Sequence, residues 1–256
     1  MKRRPTYNQH KSKRYESSHI ETEFGLIRKI LHWVFQAKAT FILMLVAIGM
    51  YFYSLTLSTE QFQSLVFTPE AIKTLNFIPM ISSWFLHANL AHLVGNLLFL
   101  LVFGRIVERR FGFLKMLLIF FGSAILSDLI AGAIFGQGGI GASGAISGLI
   151  AAAIIVDPFY WTFVLGIPMP VLLVGWIAVF IDITGILIPL ADNIGHIAHL
   201  GGFFATSLVI FFMDKKDEKI RRGFLINSIT FVLGLAIYFF FPQINIPFFP
   251  KFNVTE

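Results

Sequence analysis

The chain has no cysteine among its 256 residues, which excludes disulfides, thiolate metal sites and cysteine nucleophiles. Charged residues are also scarce, at 13% of the chain, whereas hydrophobic residues make up 56% and the mean hydropathy is +0.77. This balance lies outside the usual range of soluble domains. The net charge of +6 does not indicate a nucleic-acid partner, because the basic residues flank apolar stretches, as in membrane topology. We therefore expect an integral membrane protein whose surroundings are a lipid bilayer.

Seven apolar stretches are each near the length that a helix needs to cross the hydrocarbon core. Their residues are continuously apolar rather than alternating, which favours helices over a β-barrel. The fold class is accordingly all-α, a polytopic membrane helix bundle. The predicted spans are Ala39–Leu57, Trp84–Phe103, Met116–Phe135, Gly141–Val156, Val171–Leu190, Ile194–Met213 and Gly223–Phe241.

Lysine and arginine indicate the orientation of these spans. With the N-terminus in the cytoplasm, the inner connections receive the basic residues at 105–115 and 215–222, and the outer side receives only Lys73 and Lys251. The predicted divisions are a basic cytoplasmic segment at 1–38, a six-span core at 39–213, and a loop, seventh span and short external tail at 214–256. No cleavable signal peptide is expected, and residues 24–35 suit an amphipathic interfacial helix.

Two connections on the outer side are predicted to contact the membrane. Within Ser58–Ser83, Thr68-Pro69-Glu70 has the composition of a helix start, and the following residues have a short apolar face. The fourth span is too short for the hydrocarbon core, so residues 136–140 should dip into the membrane as irregular backbone. Such backbone is tolerated where it is buried in protein or lines a water-filled cavity.

Polar residues gather at the outer ends of three spans, where their cost in a membrane suggests function. His92, Ser143 and His199 each lie about 14 residues before a charged residue at the inner end of the span, which corresponds to roughly 20–22 Å of helix. In a core about 30 Å thick they share one level, about 8–10 Å below the outer surface. Small residues beside Ser143 and His199 allow the two helices to approach closely. The three clusters comprise His87, His92 and Asn96; Gly141, Ser143 and Gly144; and His196, His199, Gly201 and Gly202.

In order and spacing, these clusters resemble the rhomboid family of intramembrane serine proteases. The resemblance covers roughly residues 60–213 and rests on Gly-Ala-Ser-Gly at 141–144, Ala-His-Leu-Gly-Gly at 198–202, the His87, His92 and Asn96 set, and the stretch 104–112. It implies a six-helix rhomboid-like core with one extra C-terminal transmembrane helix.

The resemblance also implies roles for the site residues. Ser143 is the nucleophile and His199 the general base, acting as a dyad without a required carboxylate. His92 and Asn96, which share a helical face, form the oxyanion site with the backbone N–H of Ser143. Gly141 and Gly144 let the substrate backbone approach. No cofactor and no metal ion are implied.

The sequence departs from the family pattern in two places. Ile78-Pro79 stands where a Trp-Arg pair is frequent in the first external loop. Ser147 stands one turn after the nucleophile, where an aromatic residue often stacks on the catalytic histidine. Another group must therefore hold His199, and His196 is a candidate, with an inert role equally open.

Three further polar residues have open roles. His87 is predicted to be structural, near the cavity mouth. For Asp128 and Asp182 three roles are open: they face water, they pair with polar neighbours, or one of them is the third member of a catalytic triad.

The leading functional hypothesis is an endopeptidase that cleaves transmembrane segments of single-pass or other helical membrane proteins near their extracytoplasmic side. The alternatives are a catalytically silent rhomboid-like protein that binds transmembrane segments, and a transporter or metal site built from the histidines and intramembrane aspartates. A prokaryotic plasma membrane is the expected location. The oligomeric state does not follow from the sequence.

Overall fold

The computed structural model of the chain describes residues 36–164, 166–187 and 195–240. The chain divides into two compact units, residues 1–38 and residues 39–256. Of the first unit only residues 36–38 are described, so the amphipathic helix predicted at 24–35 lies outside the described residues, as does Lys251.

Helices dominate the described residues, and one short hairpin interrupts them. The elements in chain order are α1 (Lys38–Ser54), α2 (Thr59–Ser64), α3 (Pro69–Lys73), α4 (Phe77–Ser83), α5 (Leu90–Phe111), α6 (Phe113–Ile134), α7 (Ser143–Val156), β1 (Trp161–Val164), β2 (Ile167–Pro170), α8 (Val171–Leu187), α9 (His196–Met213) and α10 (Glu218–Phe240). Helices α5 and α6 each contain a π-helical stretch, at Leu100–Gly104 and Leu129–Ile134.

Seven of these helices are apolar, and each overlaps one predicted span. By length and composition, α5, α6, α9 and α10 are able to cross a membrane, whereas α1, α7 and α8 are shorter apolar helices. The prediction of a polytopic helical bundle is therefore confirmed.

The ends of several spans differ from the prediction. The second span was predicted to begin at Trp84, but α5 begins at Leu90 because Asn89 caps it, its side chain accepting the N–H of His92 at 2.8 Å. His87 therefore precedes the helix instead of lying on it. Helices α6 and α10 begin earlier than predicted, at Phe113 and Glu218, because they continue through charged residues that hydropathy does not count as part of a span.

The hairpin between α7 and α8 was not predicted. Trp161 to Val164 pair antiparallel with Ile167 to Pro170. Gly166, with φ of +83°, lies in the turn, a conformation that favours glycine.

Helix α7 lies in the centre of the bundle and packs against α5, α6, α8, α9 and α10. Its residues from Gly144 to Ile155 are buried apart from Ser147, and Ala151, Ala152 and Ala153 are fully inaccessible. Outer helices carry exposed leucines such as Leu118, as expected of surfaces that face lipid. The predicted catalytic serine thus stands at one end of the most enclosed helix.

Two polar contacts connect the ends of the helices. The carboxylate of Glu108, buried near the end of α5, accepts hydrogen bonds from the backbone N–H groups of Ala39 and Thr40 at 2.8 and 2.9 Å. It thus places a negative charge at the N-terminus of α1, where the helix dipole favours an anion. Asp217, before α10, accepts the N–H of Lys219 at 2.8 Å and pairs with Arg110. The Lys219 hydrogen bond, with the nearby Arg110 guanidinium, lowers the pKa of the Asp217 carboxyl.

The connection between α1 and α5 folds as three short helices. Helix α3 begins at Pro69 as predicted, although Thr68 makes no side-chain capping bond. Phe67 is buried, and its carbonyl accepts the N–H of Gly139 at 3.0 Å. This connection therefore packs against residues 136–142; its entry into the membrane stays a prediction.

Candidate active site

A cavity of about 720 Å³ lies between the α1–α5 connection and the starts of α5 and α7. Its lining combines apolar groups with several polar ones. The residues are Phe62, Gln63, Val66, Phe67, Ser83, Trp84, Ala88, His92, Ala124, Ser127, Asp128, Ala131, residues 137–141, Ser143, Gly144, Ala145, Gly195 and Ala198. A polar cavity of this size in an apolar bundle has room for water and for a peptide segment.

Irregular backbone forms one wall of this cavity, as predicted for residues 136–140. Several of its N–H groups are paired within the protein: the N–H of Gln137 donates to the carbonyl of Ala131 at 2.8 Å and the N–H of Gly141 donates to the carbonyl of Ser83 at 2.8 Å. Such pairing permits non-helical backbone at membrane depth. Helix α7 spans only 14 residues, about 21 Å, and the entry of this wall into the membrane stays a prediction.

Ser143 is the first residue of α7 and lines the cavity. No side chain caps this helix end, since Ala142 occupies the cap position. The first N–H groups of a helix have no partner within it, and they carry partial positive charge. The hydroxyl of Ser143 therefore stands beside backbone donors suited to a developing oxyanion.

The predicted oxyanion residues, His92 and Asn96, both lie against Gly141, two residues before Ser143. A Cβ on Gly141 would stand 2.8 Å from Nε2 of His92 and 3.3 Å from Nδ2 of Asn96, so the ring and the amide converge on this glycine. The φ of +111° at Gly141 also requires glycine. The Nδ2 of Asn96 is buried and has no hydrogen-bond partner among the described residues.

His199 lies in the first turn of α9, directly after Ala198 of the cavity wall. Helices α7 and α9 approach very closely, because a Cβ on Gly202 would collide with the carbonyl of Gly144. Ser127 donates to the carbonyl of Ala198 at 2.8 Å and fixes α6 to the same turn. The predicted nucleophile and base thus stand on two helices with glycine at their contact.

Asp182 of α8 contacts both histidines of α9. Its Oδ1 lies 2.8 Å from Nδ1 of His196 and 2.9 Å from Nδ1 of His199. The carboxylate is buried, with 10% of its side chain exposed. The ring of His196 is not stacked parallel on that of His199, since the two planes meet at 84° with centroids 6.4 Å apart; both rings contact the carboxylate.

The other polar residues have clear positions. His87 is buried, with Nδ1 3.1 Å from the carbonyl of Phe85 and its ring against that of His92 at 5.0 Å. Asp128 lines the cavity, and its Oδ2 accepts the indole N–H of Trp84 at 2.6 Å. It pairs with a polar neighbour, one of the alternatives that the sequence left open.

Asp182, His196 and His199 also offer three ligand atoms within 4.8 Å of one another, a spacing that suits a metal ion. The same atoms hydrogen bond to each other in the structure. The cluster thus has two chemical interpretations, a hydrogen-bonded set or a metal site.

The structure brings Ser143, Gly141, Gly144, His92 and Asn96 to one region, with His199 beside it. The roles of these residues stay predictions. Pairing of Asp182 with polar neighbours was one of the alternatives left open by the sequence, which did not identify His196 and His199 as the partners. An acidic residue in an apolar span, such as Asp182, indicates a functional or structural role, but the sequence does not identify its partners because they depend on how α8 and α9 pack.

Comparison with known proteins gives a consistent result. The family model described as Rhomboid domain matches residues 74–216. RHOMBOID-like protein 6, mitochondrial, from Arabidopsis thaliana is 34% identical over 151 residues, covering 56% of this chain and 47% of that protein. RHOMBOID-like protein 1 from the same plant is 34% identical over 49% of this chain and 32% of that protein. Rhomboid-like protease 2 from Toxoplasma gondii is 28% identical over 55% of this chain and 50% of that protein.

The chain spans half or less of the length of these relatives. The family model nevertheless covers more than half of this chain, including every predicted catalytic, oxyanion and supporting residue. The chain therefore belongs to the rhomboid family.

Proposed function

We propose that this protein is an intramembrane serine endopeptidase that cleaves transmembrane segments of single-pass or other helical membrane proteins near their extracytoplasmic side. The observation that carries the proposal is the position of Ser143, in a polar cavity, at the uncapped start of a buried helix. Membership of the rhomboid family supports the same activity.

The proposed reaction follows the usual course of acyl transfer. His199 takes the proton of the Ser143 hydroxyl as the oxygen attacks the scissile carbonyl. The negative charge on the carbonyl oxygen is stabilised by the N–H of Ser143 with His92 and Asn96. His199 then gives its proton to the leaving amine, and a water molecule from the cavity hydrolyses the acyl-enzyme with His199 again as base.

The experiment compares wild type with Ser143→Ala and His199→Ala on a panel of single-pass reporters in proteoliposomes, with cleavage sites mapped by mass spectrometry. Ser147→Ala, one turn further along α7, is the matched control. We expect cleavage by wild type and the control and none by the other two variants. A fluorophosphonate probe should label wild type at Ser143 only. Cleavage that persists in Ser143→Ala would contradict the proposal, and a wild type that binds reporters without cutting them would indicate a silent binding protein.

A metal-dependent site is the second candidate, favoured by the three ligand atoms of Asp182, His196 and His199. It predicts metal in the purified protein and loss of activity on chelation. Activity that is unchanged by chelators would exclude it.

The cellular membrane also belongs to the proposal. We predict a prokaryotic plasma membrane with the N-terminus in the cytoplasm. The relatives described above come from Arabidopsis thaliana and Toxoplasma gondii, and one of their names reads mitochondrial, which gives this location no support. Fractionation of the source cells tests it.

A further inference from the structure

A buried carboxylate contacts two imidazoles outside the cavity wall. Oδ1 of Asp182 lies 2.8 and 2.9 Å from Nδ1 of His196 and His199. We infer that Asp182 is a positioning residue, which holds His199 in the orientation and tautomer that a base requires, with His196 as the second support of the carboxylate. The inference rests on the proposed function of Ser143 and His199.

The tautomer follows from the chemistry of the two groups. An ionised carboxylate only accepts hydrogen bonds, so the Nδ1 atom facing it carries the proton. A neutral imidazole with its proton on Nδ1 has its lone pair on Nε2. That is the nitrogen left to accept the proton of Ser143. Without Asp182 the ring would sample both tautomers and several orientations, and only part of the population would be active.

His196 stabilises the carboxylate in its buried position. A buried charge needs more than one hydrogen bond to offset lost hydration, and the second imidazole supplies it. The ring of His196 lies directly against the backbone of Gly185, one turn after Asp182, where a Cβ would collide with it. His196 and His199 are three residues apart and therefore share one face of α9. One face of α8 and one face of α9 thus form the whole cluster.

The contact with Asp182 explains how His199 is held in this chain. The resembled family often has an aromatic residue that stacks on the catalytic histidine, and this chain has Ser147 at that position. Ser147 is too small to fix an imidazole by stacking. A hydrogen bond from Nδ1 to a carboxylate fixes the ring from the other helix, α8.

The direct test is the histidine tautomer in the wild-type protein. In proteoliposomes of ¹⁵N-histidine-labelled full chain, solid-state NMR distinguishes a protonated from an unprotonated ring nitrogen, and His199→Gln and His196→Gln assign the signals. We expect both residues to carry the proton on Nδ1, and Asp182→Ala to give His199 a mixture. A wild-type His199 with its proton on Nε2 would overturn the inference, whatever happens to the variants.

Kinetics provide the second readout. Asp182→Ala and Asp182→Asn should lower kcat on a reporter by about 10²-fold with KM within about threefold of wild type, because substrate binding does not use the cluster. The matched control is Thr184→Val on the same helix, since Oγ1 of Thr184 is buried and has no hydrogen-bond partner among the described residues. It should retain the wild-type kcat.

The two proposals fail in different ways. A kcat within threefold of wild type in both Asp182 variants would reject the positioning role while Ser143 and His199 remain essential. Cleavage that survives Ser143→Ala would reject the proposed function, and the NMR result would still test the contact. If the Asp182 variants do not fold, the wild-type tautomer decides.

Discussion

Asn96 has an environment that packing alone does not explain. Its Nδ2 is buried without a hydrogen-bond partner in the described part of the chain, and such a donor costs about 1–3 kcal/mol. The atom lies 3.3 Å from the point where a Cβ on Gly141 would stand, close to Nε2 of His92. Because this N–H donor is unpaired in the resting protein and lies near the predicted nucleophile, it is available to donate to the oxyanion that forms only during the reaction.

We therefore predict that Asn96→Ala lowers kcat by about 10²–10³-fold, because one donor to the oxyanion is lost. The thermal midpoint should not fall, since the substitution removes a buried unpaired donor and the described residues provide no hydrogen bond to its Nδ2. The matched control is Asn227→Ala on α10, whose buried Oδ1 is also unpaired within the described residues. Steady-state kinetics on one reporter measure both variants. A wild-type kcat in Asn96→Ala would remove Asn96 from the mechanism.

The partners of the intramembrane aspartates were not predictable at this scale. Sequence shows Asp128 and Asp182 in apolar spans, and two histidines three residues apart. It does not show that Asp182 meets both histidines while Asp128 accepts from Trp84. The choice between the two acids depends on the rotation of each helix about its axis, which the continuously apolar spans do not define.

At the scale of elements, the contact between α7 and α9 determines where the predicted nucleophile and base stand. Gly202 lies so close to the carbonyl of Gly144 that no Cβ fits between them. Gly148 is similarly enclosed by Ser123 and Thr206, whose hydroxyls are 2.6 Å apart. Backbones this close bring short side chains such as serine within reach of the facing helix.

Gly202→Ala should separate the two helices, because the backbone carbonyl of Gly144 cannot rotate away as a side chain would. We expect destabilisation of about 1–3 kcal/mol, the usual cost of overpacking, together with a loss of cleavage. The readouts are the thermal midpoint in detergent and reporter cleavage. Gly49→Ala in α1 is the control, because the added Cβ would meet no atom within 4 Å. It should change neither the thermal midpoint nor the cleavage. If Gly202→Ala kept the thermal midpoint and the cleavage of Gly49→Ala, the close approach of α7 and α9 would not be needed for either.

The helices themselves were predictable, and their ends less so. Apolar runs marked all seven spans because hydrocarbon demands continuous apolar length. The start of α5 depends on a cap from Asn89, and α10 begins five residues before its predicted span because Arg221 and Arg222 continue the helix. The hairpin at 161–170 depends on a turn at Gly166 that hydropathy does not register.

For the whole molecule, a short central helix explains both the burial and the access of the site. Helix α7 is enclosed by five other helices, but its length of about 21 Å is about 9 Å less than the thickness of a bilayer core of about 30 Å. Residues 136–142 and the α1–α5 connection contribute to the lining of the cavity beside the start of α7, and we expect them to complete the path through the core. We expect the cavity to open towards the outer side, because the basic connections lie at the opposite ends of the helices.

The absence of cysteine allows this orientation to be tested without altering any native residue except the probe position. Lys73→Cys lies in α3, where the lysine side chain is 71% exposed, and Lys216→Cys lies in the exposed connection between α9 and α10. In intact cells of a bacterial host, a membrane-impermeant maleimide should label Lys73→Cys directly and Lys216→Cys only after permeabilisation. Unmodified protein cannot react and gives the background. The reverse pattern would place the cavity and Ser143 on the cytoplasmic side, and substrates would then be cut at their cytoplasmic ends.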